Sequence, residues 1–160
     1  MGDVTIRAAT AADREWAARV MAGNEPWLTL GRDFEACLAS CCNPHDELHV
    51  ADLAGAPAGF VLVRPQGIAG APYIVSIAVA EAHRSRGIGH ALIGFVADRY
   101  RERARHLFLC VSSFNPRARA MYEREGFSQV GLLPDFIIDG HAELLMCRRI
   151  RVSGPAVGER

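Results

Sequence analysis

The chain has 160 residues, the size of one domain and long enough to bury a core without disulfide or metal staples. Hydrophobic residues make up 50% and charged residues 22%, which excludes a disordered chain, and no apolar run reaches the ~18 residues of a membrane helix. The formal net charge is +0, whereas a nucleic-acid binder is usually strongly basic.

Val4 to Arg7 reads as a first strand. Thr10-Ala-Ala-Asp13 resembles a capping box, and Trp16, Val20 and Met21 supply the apolar stripe of the helix it opens. Gly23 suits the C′ position that closes it. A loop from Asn24 to Arg32 contains Pro26 and Trp27. Asp33 then caps a second helix through Phe34, Cys37 and Leu38, ended by Asn43-Pro44. Leu48 to Leu53 and Gly59 to Val63 read as a hairpin about Ala54-Gly55-Ala56-Pro57. A second turn region, Pro65 to Ala71, leads to Tyr73–Val79. That nearly continuous apolar run fits a central strand covered on both faces. In the next helix Ile88, Ala91, Leu92, Phe95, Val96 and Tyr100 form a 3.6-residue stripe. His106 to Val111 is a strand. Asn115-Pro116 opens a helix whose inner face carries Ala118, Met121 and Tyr122, and Gly126 ends it. Phe127 to Leu133 and His141 to Ile150 are two final strands around Pro134 to Gly140. The expected order is strand, helix, helix, three strands, helix, strand, helix, two strands: a mixed α/β fold. One domain over residues 1–152 and a small polar tail over 153–160 follow.

Five cysteines, Cys37, Cys41, Cys42, Cys110 and Cys147, form an odd set without framework spacing. The first residues carry charges and no apolar signal core, and Ile6 stands where a myristoylation site needs Ser or Thr. A reduced, cytoplasmic protein is the expectation. Cys42-x-x-His45-x-x-x-His49 superficially offers metal ligands. Pro44 breaks the segment and His49 alternates within a strand, so no metal is expected.

All 18 basic residues are Arg. Between His83 and Gly126, Arg84, Arg86, Arg99, Arg101, Arg103, Arg105, Arg117, Arg119 and Arg124 face Asp98, Glu102, Glu123 and Glu125, nine against four. An anionic ligand fits there; solvated helix faces are the alternative. At the end of the central strand, Arg84-Ser85-Arg86-Gly87-Ile88-Gly89-His90 joins a basic glycine loop to a helix start. Glycines let a backbone approach a ligand, and the free N–H groups of a first helical turn favour an anion. A dinucleotide fingerprint is excluded because Leu92 stands at its third glycine. A P-loop is excluded because there is no Lys.

Arg84-x-x-Gly87-x-Gly89 is similar to the acyl-CoA signature of the GNAT N-acetyltransferase family. Asn115-Pro-Arg-Ala118-Arg-Ala-Met-Tyr122-Glu-Arg-Glu-Gly126-Phe127 resembles the same family's later helix. The resemblance covers almost the whole chain, including element order, and implies the GNAT fold with acetyl-CoA as cofactor. It implies that backbone groups of Ile77, Ala78 and Val79 line the acetyl and pantetheine arm, with the Ile77 N–H polarising the thioester carbonyl. By the same resemblance Arg84, Ser85, Arg86, Gly87, Ile88, Gly89 and His90 would cradle the diphosphate. Asn115 and Ala118 resemble the residues that adjoin the arm, and Tyr122 the residue near the sulfur. Acyl transfer develops an oxyanion, for which one preorganised donor contributes about 3–4 kcal/mol. Its strand must part from its neighbour to leave that donor free. For Tyr122 the alternative is a plain core aromatic.

The attacking amine must be neutral. Histone acetyltransferases of the family carry a carboxylate four residues before the Ile77 position, where this chain has Tyr73. Glu25, Glu35, Asp139, His141 and Glu143 are other candidates, as is ordered water. Glu25, Trp27, Thr29, Tyr73 and Phe136 are expected on the acceptor side, within the loop 25–29, the central strand and the segment 135–141. The implied activity is transfer of acetyl from acetyl-CoA to a primary amine, in a chain that could pair as a homodimer. A peptide N-terminal acetyltransferase and a non-catalytic acyl-CoA module are the alternatives.

Overall fold

A computed structural model describes residues 3–151, so the tail expected over 153–160 lies outside the described residues. The elements run β1 (Val4–Ala8), α1 (Ala11–Ala22), α2 (Phe34–Cys41), β2 (Glu47–Leu53), β3 (Ala56–Arg64), β4 (Tyr73–Val79), α3 (Ile88–Tyr100), β5 (His106–Ser112), α4 (Pro116–Arg124), β6 (Ser128–Pro134) and β7 (Ala142–Arg149). This is the order expected from the sequence, with two short 3₁₀ turns added at Ile68–Gly70 and Glu81–His83.

Local chemistry sets the helix starts. The Thr10 side chain accepts from the Asp13 amide while the Asp13 carboxylate accepts from the Thr10 amide, completing the capping box of α1. Asp33 caps α2 and Asn115 caps α4 with the side-chain bond alone, accepting from the Ala36 and Ala118 amides. Gly23 closes α1 at φ −96°, so its left-handed freedom is not used there. The β2–β3 turn is only Ala54-Gly55, shorter than the Ala54–Pro57 expected. Pro57 enters β3 opposite Asp52, beside a bulge at Ala58.

Seven strands form one sheet in the order β1-β2-β3-β4-β5-β7-β6, antiparallel except for the β4–β5 pair. Helices α3 and α4 cover one face, where Leu92, Ile93 and Val96 pack against Val61, Leu107 and Leu109. Helices α1 and α2 cover the other face over β2 and β3, where Met21, Cys37 and Cys41 meet Phe60 and Leu62. The buried stripe of α3 is broader than its periodicity indicates: Ile93 and Ala97 are buried, while Ala91 and Phe95 are half-buried. Gly59 makes the close approach of α3 to β3 possible, since a Cβ there would lie 2.8 Å from the Ile88 side chain.

The sheet is interrupted in one place. β4 pairs with β5 only at Tyr73↔Phe108 and Ile74↔Leu109. A bulge in the β3–β4 ladder falls at the next residue, since Ile74 pairs with Val63 and Ser76 with Leu62 while Val75 is skipped. A bulge bends and twists its strand, and here β4 leaves its parallel neighbour.

Candidate active site

The gap between β4 and β5 opens into a cavity of about 860 Å³. Its walls come from β4, β5, the starts of α3 and α4, the loop after α1, and Phe136, Ile137 and Glu143 near the last hairpin. The Ala80 amide donates to the Ala58 carbonyl at 2.8 Å, toward β3. Backbone amides alternate sides along a strand. Those of Ile77 and Val79 therefore face away from β3, into the gap.

At the head of α3, Ser85 (φ 62°) and Gly87 (φ 77°) both adopt the left-handed conformation. Successive turns of this kind point amides to one side, as in anion-binding nests. The amides of Ser85 to His90 have no intramolecular acceptor among the described residues; the first helical bond is made by Ala91 to the Gly87 carbonyl. A Cβ on Gly87 would meet nothing within 4 Å, so glycine is required by conformation and not by crowding. These donors fit the diphosphate of an acyl-CoA cofactor, and the gap amides fit its acyl end.

The Arg84 guanidinium donates to the Asn24 side-chain oxygen at 2.6 Å and toward the Val79 carbonyl at 3.4 Å. It ties the glycine loop to the end of α1. The His90 ring nitrogen Nδ1 lies 2.9 and 3.0 Å from the two Glu125 carboxylate oxygens. Arg117 and Arg124 line the same region.

Of the residues singled out in the sequence, Ile77, Ala78, Val79, Arg84, Ser85, Gly87, Ile88, Gly89, His90, Asn115, Ala118 and Tyr122 all reach the cavity, as do Glu25, Trp27, Tyr73 and Phe136. Two do not. Arg86 is exposed and lies outside the wall. Thr29 instead donates its hydroxyl and amide to the Glu25 carboxylate, at 2.8 and 3.2 Å. Asn115 spends its carbonyl oxygen on capping, accepting from the Ala118 amide at 3.2 Å, which leaves its N–H₂ for a ligand. Trp27 both packs in the core under α1 and forms part of the wall. Tyr122 is 8% exposed and stacks edge-on against Phe127. Burial pushes its phenol above the ordinary value, so it stays a neutral O–H donor. The two readings of Tyr122, core aromatic and site residue, are thus compatible.

The sequence reading missed Cys110, Ser112, His83 and Arg32, which also line the cavity. For Cys110 and Ser112 the signal was present: Leu107, Leu109 and Val111 occupy one face of β5, so the alternating pair occupies the other. On that face the Tyr73 hydroxyl sits against the Cys110 thiol, and burial raises the pKa of both. Among the described residues, no cluster of three or more His, Cys, Asp or Glu residues could hold a metal. No helix there is long and apolar enough to cross a membrane.

The chain belongs to the GNAT acetyltransferase family: the model of that family, Acetyltransferase (GNAT), matches residues 10–127. A streptothricin acetyltransferase of Streptomyces lavendulae is 47% identical over 60 residues, 37% of this chain and 32% of that protein. The chain thus spans about a third of that curated relative's length. The solved structure of a nourseothricin acetyltransferase is 35% identical, covering 68% of this chain and 67% of that one with a TM-score of 0.61. The ribosomal-protein-S18-alanine N-acetyltransferase of Escherichia coli shares the fold at 19% identity, with 98% and 100% of the two chains covered and a TM-score of 0.74.

Proposed function

We propose that the protein transfers an acetyl group from acetyl-CoA to the primary amine of a small molecule. The observation that carries this reading is the run of six amides, Ser85 to His90, without a partner among the described residues, leading into the parted β4–β5 strands. A helix start with free donors and left-handed turns is suited to a diphosphate. Family membership and the similarity to a streptothricin acetyltransferase support acyl transfer to an amine.

Bound acetyl-CoA supplies the acyl group as a thioester. The amides of residues 85–90 hold its diphosphate, and Asn115 reaches the arm with its free N–H₂. The Ile77 N–H donates to the acyl oxygen as negative charge develops there, a contribution of about 3–4 kcal/mol for one preorganised donor. The neutral Tyr122 O–H donates to the departing sulfur. Thiolates with a conjugate-acid pKa near ~8.5 leave readily, so this donor assists without being indispensable.

Titration with acetyl-CoA should give a saturable rise in Tm, and a panel of primary amines that includes streptothricin should release CoA. No thermal shift at millimolar acetyl-CoA refutes the reading. A shift without CoA release from any amine leaves a binding module. Release only with alanine-initiated peptides moves the acceptor class to polypeptide N-termini.

A further inference from the structure

An amine acceptor arrives mostly as an ammonium ion and must lose a proton before its nitrogen can attack. Among the described residues three carboxylates line the cavity: Glu25, Glu125 and Glu143. Glu25 has both oxygens occupied by Thr29. Glu125 has both oxygens within 3.0 Å of the His90 Nδ1. Glu143 differs. Its Oε1 accepts from the Ser112 hydroxyl at 2.6 Å, and its Oε2 has no partner among the described residues. No Arg or His forms an ion pair with it there.

We propose that Glu143 is the catalytic base, whose Oε2 binds the acceptor ammonium and takes its proton. The inference rests on the reading of the protein as an amine N-acetyltransferase. In the step an N–H bond breaks, its electron pair stays on nitrogen, and an O–H bond forms at Oε2. Water takes the proton away after product leaves.

Placement supports the assignment. Leu144 and Met146 of β7 point into the core under α3, so Glu143 lies on the opposite face. The apolar cluster under α1 and α2 draws its strand residues from β2, β3 and β4 and none from β5 or β7. Glu143 pairs with Ser112 in the β5–β7 ladder, past the point where β4 has left β5. It is 6% exposed and held on a strand, not on a loop. Its titratable neighbours are Tyr73 from β4 and Cys110 from β5, both kept neutral by burial. Burial also raises the Glu143 pKa, opposed by the Ser112 bond, which brings the carboxylate nearer to an amine in proton affinity. Trp27 and Phe136 add apolar surface to the same cavity. Ser112 is a positioning residue: it fixes one oxygen and leaves the other toward the cavity.

The test uses the full chain with streptothricin and an alanine-initiated peptide as acceptors, following CoA release from pH 6 to 9.5 and binding by calorimetry. Glu143→Gln should lower kcat/KM about 100-fold or more at pH 7. The loss should shrink as pH rises and free amine accumulates. Amine affinity in the presence of CoA should fall about tenfold, while acetyl-CoA affinity stays within twofold. Ser112→Ala removes the bond that favours the carboxylate, so the acid limb of its pH profile should move to higher pH. A wild-type pH profile with unchanged amine affinity in Glu143→Gln overturns the inference and leaves the acetyltransferase reading intact. A wild-type chain that neither binds acetyl-CoA nor releases CoA overturns both.

Discussion

Replacing Gly87 by alanine separates the conformational demand of the glycine loop from any steric one. Gly87 sits at φ 77°, and a Cβ placed on it would find nothing within 4 Å, so the added methyl group brings backbone strain alone. Left-handed backbone costs an L-residue roughly 1–2 kcal/mol. Where that cost is felt depends on what holds the turn. The amides of Ser85 to His90 make no internal bonds among the described residues, so the loop can relax, and the strain returns when the diphosphate pulls it back. Acetyl-CoA should therefore bind about 5–30-fold more weakly, with little loss of stability. Gly55→Ala is the control. Gly55 has φ 81° and equally open surroundings, but the flanking pair Leu53↔Ala56 pins its hairpin. There the same strain should appear in stability, lowering Tm by about 2–8 °C, with acetyl-CoA affinity unchanged. Calorimetry and thermal melts of the two variants decide the matter. If Gly87→Ala loses stability as Gly55→Ala does and keeps its affinity within twofold, the free-amide account of the loop is wrong.

Tyr122→Phe should lower kcat about 100-fold at most, the low end for a proton donor. It should leave Tm nearly unchanged, because the hydroxyl has no bonding partner among the described residues; steady-state kinetics with thermal melts checks both. Asp13 joins α1 to β1 through Arg7, at 2.6 Å, and Arg7 in turn binds Asp52 of β2 at 2.7 Å. The Arg7 bond, opposed by burial, lowers the Asp13 pKa from 3.8 to about 2. A depressed carboxylate pKa stabilises the fold above its unfolded value and loses that contribution as pH falls through the folded one. Asp13→Asn should thus cost about 2 kcal/mol at pH 7, and urea denaturation should show the gap closing between pH 4 and 2.

What was legible in the chain was what neighbouring residues decide. The capping box at Thr10, the caps at Asp33 and Asn115, the turn at Gly55 and the glycine loop are each contained in a few consecutive positions. Helix boundaries and the diphosphate end of the site followed from them. The acceptor end depends on topology. β7 enters the sheet between β5 and β6, which brings Glu143 opposite Ser112, 31 residues away. Read along the chain, Glu143 had no advantage over Glu25, Glu35, Asp139 or His141. The bulge beside Pro57 was obscured for a related reason: proline marks a turn unless a partner strand tolerates its missing donor. Thr29 was misplaced because its hydroxyl faces a side chain four residues back and not the cavity.

The bulge at Val75 links these observations. A parallel strand pair normally continues its ladder, and each lost bond leaves a donor or acceptor to be satisfied elsewhere. Here the ladder stops after Ile74↔Leu109, and the Ile77 and Val79 amides are left facing the gap. Ser85, Gly87, Ile88, Gly89 and His90, whose amides have no partner among the described residues, line the same cavity. Three buried side-chain nitrogens lack partners among the described residues, those of Arg32, His49 and His83, and two of these residues line that cavity as well. Unpaired donors scattered through a fold indicate poor packing, whereas donors gathered at one opening indicate a ligand rich in acceptors. The segment that disrupts the sheet is therefore the one that creates the site, and straightening β4 would restore ladder bonds at the expense of the donors the acyl group needs.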